Sequence, residues 1–400
     1  MMAHSFPPGP VDCIFTGTGS QPVAFAFFFA KPLDPEKLRD SLDRTLDVFP
    51  LLKSRIQKTS ENEFEYRLTA DGLVFEKVES DVGFEKDQGI ERYLTPIITM
   101  EGQPLARIRL TQAPNGSVLA AGVSHALVDG FSYFHFLSSW ARTGRGERIL
   151  QPNLERDVFH PFFKEGIGTV TSEELLAECG LFDGPKRQSF STESLGFERV
   201  FVPEENIQSC LEEARHKHNE SSFPNDVLVA MLWKKYLPLW EKGSGNPETY
   251  VTCPFDFRRS LAGFPKTYFG CALTFATASA GFEDLLALSE ADLALRVKNA
   301  VGRMKSEFIA NSLSTLDRFR RQRGLDAMEN VHLRHPDRGL IVTNLTRMPI
   351  RDLDFGTGGP EDFLAYAEVP RSAAILPAEK GVEILVVHPP KENIVRPIEG

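Results

Sequence analysis

The sequence predicts an α/β chain built as two mixed-sheet halves that face each other across a central cleft. Three observations carry this reading. Apolar runs of strand length recur on both sides of a segment, 143–195, that is rich in proline, glycine and charge. Helical periodicity interrupts those runs in both halves, without the regular strand–helix alternation of a doubly wound sheet. Finally, 400 residues exceed what one hydrophobic core ordinarily supports. We therefore divide the chain at 1–170 and 196–400, joined by a crossover at 171–195.

The first half opens with PVAFAFFFA at 22–30, an apolar run of strand length. PLDPEKLRDSLDRTLDVFP follows, with Leu38, Leu42 and Leu46 on one helical face and Pro50 closing it. EFEYRLT, LARIRLTQA and SVLAAGVSHA alternate or run apolar as sheet strands do, and PNGS at 114–117 is a hairpin turn. The second arm of that hairpin runs into a helix that begins near Gly130. Between 143 and 195 only SEELLAEC reads as helical. The second half starts with FERVFVPEE at 197–205, a strand leading into a helix. PNDVLVAMLWKKYL is a buried helix with Asn225 or Asp226 as its expected cap. TYVTCPFDF and YFGCALTFATAS are strands, one long helix covers 284–310, and GLIVTNL, DFLAYAEV, SAAILP and GVEILVVHP are late strands.

Composition excludes several classes of function. A net charge of −10 speaks against a nucleic-acid partner, because phosphate binding rests on clustered positive charge. RFRRQR at 318–323 is the local exception; its guanidinium forks suit a phosphate, but a solvated helix face is the better reading. No apolar run reaches membrane-spanning length, and the opening MMAHSFPPGPVD lacks the basic start of a signal peptide. Five scattered cysteines without a CxxC pair fit reduced thiols in a cytoplasmic protein, with neither a disulfide frame nor a zinc site. The 31 phenylalanines are expected to fill a large core. His135 reads as core or helix surface, and His216 with His218 lack a third metal ligand. TGTGSQ at 16–21 precedes a strand where a dinucleotide loop would follow one.

The stretch GVSHALVDGF places His125 and Asp129 at the joint between a strand and a helix. Alone the pair is a weak signal: a strand-end histidine is ordinarily inert, and Asp129 suits a helix N-cap. Gly130 behind it would permit an unusual backbone angle. Two further constellations add weight. Asp256 and Arg258 close a strand ahead of a loop reading FPKTYFG, and IVTNLTR leads to DFGTGGP at 354–360.

In this order the segments resemble those of BAHD-type acyltransferases, within the superfamily of chloramphenicol acetyltransferases and peptide-synthetase condensation domains. The family's HxxxDG is His125 to Gly130, its DxR is Asp256 to Arg258, its YFGN is Tyr268 to Cys271, and its DFGWG is Asp354 to Gly358. FPLLKSRI and NDVLVAMLWK match further segments, so the likeness spans about residues 10 to 390. It implies two chloramphenicol-acetyltransferase-like domains with a tunnel through the cleft, acting as a monomer. It implies acyl-CoA as cosubstrate, a small-molecule acceptor, no permanently bound cofactor and no metal. His125 would be the general base and Asp129 would turn away to pair with Arg258. Gly130, Asp256, Asp354 and Gly356 would support the structure. We place Thr343 and Asn344 beside the cleft as oxyanion donors and Thr357 as a substrate contact. Cys271 for asparagine, Thr357 for tryptophan and Phe223-Pro224 for Ser-Thr point to a microbial branch. Ser124, where condensation domains carry a second histidine, favours a coenzyme A donor. The alternatives are a condensation-type enzyme fed by an acyl-carrier protein and a non-catalytic binding protein.

Overall fold

The computed structural model describes residues 5–390, apart from 18, 86–88, 96, 167, 191, 220–221, 241–246 and 367–368. The first half runs β1 (Pro22–Phe29), α1 (Pro35–Leu46), β2 (Leu73–Glu79), β3 (Ala106–Ala113), β4 (Gly116–Ser124) and α2 (Gly130–Gly144). In the second half come β5 (Gly196–Pro203), α3 (Glu204–His218), α4 (Pro224–Trp240), β6 (Glu248–Asp256), β7 (Leu273–Gly281), α5 (Glu290–Gly302) and α6 (Ser306–Arg323). Last are β8 (Gly339–Asn344), β9 (Asp362–Ala365), β10 (Ser372–Ala378) and β11 (Gly381–His388).

Local chemistry explains the elements nearest the site. Asp34 caps α1 by accepting from the N–H groups of Glu36 and Lys37, with Pro35 at the first helical position. The buried face of α1 carries Leu38, Leu42 and Leu46, and Leu38 O and Ser41 Oγ accept from the Trp140 indole of α2. α2 turns one broad face, with Tyr133, Phe134, Phe136, Leu137 and Trp140, into the core.

Among the described residues, Ser5–Phe6, Ser54–Lys58 and Phe64–Leu68 form a three-stranded sheet, and the other strands of the first half join β9 in a five-stranded one, β9-β1-β4-β3-β2. Those of the second form a six-stranded sheet, β7-β6-β8-β10-β11-β5. The two larger sheets are mixed: β2–β3, β6–β8 and β8–β10 are parallel, and the remaining pairs are antiparallel. The strand expected from DFLAYAEV is short, and it leaves its own half. Asp362–Ala365 lies antiparallel against β1, with Phe363 opposite Phe27. One apolar core accordingly spans both halves, from Phe25 and Trp140 to Phe257, Phe269 and Leu385, while a second lies between α4, α5 and the six-stranded sheet. Many phenylalanines sit in these cores.

Three expectations are corrected. The long helix at 284–310 is three helices, Phe282–Ala287, α5 and α6. The break ahead of α5 is made by a reciprocal cap between Ser289 and Asp292. Asp226 serves α4 from inside the first turn by accepting from Phe223 N at 2.9 Å, and Asn225 instead accepts from Asn344. RFRRQR, expected as a solvated helix face, is solvated only in part, with Arg321 exposed and Arg320 nearly buried. Arg318 meets Glu174 and Arg323 meets Asp183, which ties α6 to the 143–195 segment, while Arg320 and Arg321 pair with Asp317 on α6 itself.

Candidate active site

At the end of β4 the chain turns tightly, with Leu127 N and Val128 N both donating to Ser124 O. Asp129 follows in extended conformation and accepts from Ser132 N at 2.9 Å, which starts α2. The same carboxylate accepts from Arg258 Nη1 at 2.7 Å, from Arg258 Nη2 at 3.0 Å and from Ala272 N at 3.0 Å. Asp129 is therefore both helix cap and ion-pair partner, and it is 1% exposed. Burial alone would raise its carboxyl, but the Arg258 guanidinium and the two N–H donors outweigh that and hold it below the ordinary carboxylate value.

Arg258 has no donor to spare. Besides Asp129, its Nε donates to Tyr268 O at 3.1 Å and its Nη2 to Gly270 O at 2.8 Å and Ser132 Oγ at 3.0 Å. Asp256 receives the Arg258 N–H at 2.9 Å and lies 3.1 Å from Nη1. Gly270 is required by close approach: a Cβ there would sit 2.2 Å from Arg156 Nη1. Gly130 is not, because its φ is not positive and a Cβ would stand 3.7 Å from Leu345. The unusual backbone angle expected at Gly130 is thus absent, since Asp129 makes the turn from extended geometry.

His125 is half-buried at this joint. Its ring stacks on Phe15 with centroids 3.9 Å apart and planes 7° from parallel. On one edge lies Cys271, whose Sγ is 3.6 Å from Nδ1 and donates to the His125 carbonyl at 2.9 Å. Burial pushes the imidazole below its usual 6.5, against the opposing pull of its own carbonyl, the Asp129 charge and the Val128 carbonyl. A neutral imidazole follows, able to accept a proton. Cys271 is not a matching nucleophile. Burial, with Asp12 and Asp129 nearby, drives its thiol well above 9.0, and its hydrogen is engaged.

The remaining expected residues divide. The end of β8 adjoins the start of α2 through Leu345, and Thr343 is half-buried there. The Asn344 carboxamide is engaged: it donates to Asn225 and accepts from Thr346. Asp354, Gly356 and Thr357 sit at the other end of α2. There Asp354 Oδ1 accepts from Gly356 N and Gly358 N, Arg145 donates to the Asp354 carbonyl, and Phe355 packs on Trp140. The 15 residues of α2, at ~1.5 Å each, separate this loop from the cap at Asp129 by about 20 Å. The structure therefore does not bring Thr357 to His125. Two surface hollows, one beside Arg109 and one beside Arg303, are lined by neither His125 nor its neighbours. His135 Nε2 donates to Leu150 O at 2.9 Å, and His218 faces Asp292 at 3.2 Å.

Phe15 and Cys271 went unassigned in the sequence. Cys271 was visible as a departure from YFGN, whereas nothing local marks Phe15, which arrives from a turn more than 100 residues upstream.

A family model described as the Transferase family matches residues 19–395. The chain belongs to this family, that of BAHD-type acyltransferases. A BAHD relative, hydroxycinnamoyl-CoA:5-hydroxyanthranilate N-hydroxycinnamoyltransferase of Avena sativa, is 27% identical over 82% of this chain and 77% of its own length. Vinorine synthase of Rauvolfia serpentina is 24% identical over 94% of this chain and 88% of its own. Among solved structures, a F. graminearum protein complexed with coenzyme A and deoxynivalenol superposes with a TM-score of 0.78 at 16% identity, covering 98% of this chain and 96% of that one. The vinorine synthase crystal structure gives 0.72 at 19%, over 98% and 92%. The fold is thus the two-domain, chloramphenicol-acetyltransferase-like arrangement of BAHD acyltransferases.

Proposed function

We propose that this BAHD acyltransferase moves an acyl group from acyl-CoA to the hydroxyl, or alternatively the amine, of a small-molecule acceptor, with His125 as general base. The observation that carries the reading is the half-buried imidazole, stacked on Phe15 and kept neutral by burial, on a loop tied to Arg258 through Asp129. Nδ1 faces Cys271, so Nε2 looks the other way and receives the acceptor's proton. The acceptor oxygen attacks the thioester carbonyl carbon, and the tetrahedral oxyanion collapses by breaking the C–S bond. The imidazolium returns its proton to the departing coenzyme A sulfur. Both substrates are held at once and no covalent acyl-enzyme forms, because the thioester is already activated and Cys271 is a buried thiol. Such base assistance is worth about 10²–10⁴-fold in rate.

Asp129 does not touch substrate in this scheme, and with Arg258 it fixes the loop. Thr343 and the free hydrogen of the Asn344 amide are the polar groups nearest the strand end for the oxyanion. The working unit proposed is a monomer. The free cysteines, together with the lack of a helix among the described residues that is long and apolar enough to cross a membrane, support a cytoplasmic setting. The alternative donor is an acyl-carrier protein, and comparing acyl-CoA with acyl-carrier protein at equal concentration separates the two.

The test is release of free thiol when the pure protein meets acyl-CoAs and a panel of alcohols and amines. His125→Ala is expected to lower kcat by about 10²–10⁴-fold. Full turnover in that variant would refute the assignment of the base.

A further inference from the structure

The Asp129–Arg258 pair holds the loop of His125 from one side only. On the other side, the turn Asp12–Phe15 converges on the same loop by two routes. The first is direct: Phe15 lies flat on the imidazole at 3.9 Å and is itself 5% exposed. The second runs through Asp12, which is fully buried. Its Oδ2 accepts from Gly9 N at 2.8 Å and lies 3.2 Å from the Tyr66 hydroxyl, and its Oδ1 accepts from Cys271 N at 3.4 Å. Two of these partners, Tyr66 and Cys271, touch the loop. The Tyr66 hydroxyl meets the carbonyl of Ala126, next to the histidine, and the Cys271 thiol meets the carbonyl and Nδ1 of His125 itself.

The charge on Asp12 is answered inside the protein. Arg156, 6% exposed, places Nη1 3.8 Å from Oδ2 and lies against the rings of Tyr66 and Tyr268. Isolating a carboxylate this deeply is costly, and a hydrophobic side chain would fill the space more cheaply. No substrate-facing role accounts for it, since Asp12 is sealed beneath Phe15 and Tyr66. Aligning a reacting group does account for it, because a displacement of about 1 Å can cost 10²-fold in rate.

We infer that Asp12 is a positioning residue for the acyl-transfer step: through Tyr66 and Cys271 it holds the backbone of the His125 loop, while Phe15 on the same turn fixes the plane of the ring. This rests on the reading of His125 as the base. The predicted signature is loss of kcat without loss of substrate binding.

The experiment compares Tyr66→Phe, Phe15→Leu and Asp12→Asn with the wild type, each also in the His125→Ala background. Tyr66→Phe matters most, because it keeps the Asp12–Arg156 pair and therefore the fold. In the wild-type background Tyr66→Phe and Phe15→Leu are expected to lower kcat about tenfold or more, with KM for both substrates within about twofold. On the residual turnover of His125→Ala the same changes should have no further effect, because the group they position is gone. A general structural role would instead lower the residual rate by the same factor. Wild-type kcat in both Tyr66→Phe and Phe15→Leu, or an equal loss with and without His125, overturns the inference. Full turnover in His125→Ala alone overturns the proposed function instead, so the two failures are distinguishable.

Discussion

His125 carries a pH dependence whose direction is set by its surroundings. Burial lowers its pKa below 6.5, so the active neutral form persists into mildly acid solution. The acid limb of kcat/KM is expected to have its midpoint below 6.5, with a plateau through neutrality, and a profile measured between about pH 5 and 8 checks it. A limb centred above 6.5 would contradict the burial argument. Stability follows the same sign: what the neutral imidazole contributes is present above 6.5 and is lost as pH falls toward the lowered folded value. At this scale the sequence was legible where spacing is rigid. HxxxDG sets His125 and Asp129 across one tight turn, and the resemblance, through its DxR strand end, names Arg258 as the partner. It was not legible for Asp12, Phe15 and Cys271, whose contacts exist only because the N-terminal turn and the YFG loop close on the same strand end.

The joint between β4 and α2 depends on an ion pair reaching into the other half. Asp129 and Arg258 are almost fully buried, and each is the main answer to the other's charge. Arg258→Ala is expected to cost about 3–5 kcal/mol, read as a lowered unfolding midpoint at constant m-value, together with loss of activity. Arg258→Lys should rescue little, because a lysine cannot offer two donors to the carboxylate while bonding Tyr268 O and Gly270 O. Acid should loosen the same joint. The Asp129 carboxyl is held below 3.8, so its contribution is present above that value and lost as pH falls through the folded one. Apolar periodicity located α1, α2, α4 and most strands. It overran at 284–310, because helical periodicity continued through two breaks and only the Ser289–Asp292 cap marked the first.

Across the whole molecule, the halves are not independent. β9 belongs to the second half by sequence and to the first sheet by pairing, and one core joins both sheets. Short strands of this kind are assigned to a sheet by long-range contacts that no local pattern encodes, so the exchanged strand was not readable. A fragment ending at residue 195 is expected to be insoluble alone and to be recovered in soluble, active form by coexpression with 196–400. The intact chain should unfold in one transition. Soluble yield and calorimetry measure these, and a fragment 1–195 that unfolds cooperatively by itself would count against the shared core. The exchanged strand also imposes a schedule on biosynthesis. β1, with its run of four apolar aromatic and alanine residues at 25–28, pairs with β4 on one side as soon as residue 124 is made. Its other edge stays open until residues 362–365 emerge, roughly 240 residues later, which at about 5–20 residues per second is on the order of 10–50 s. During that interval the ribosome holds out a bare, phenylalanine-rich strand edge, a template on which another chain could pair.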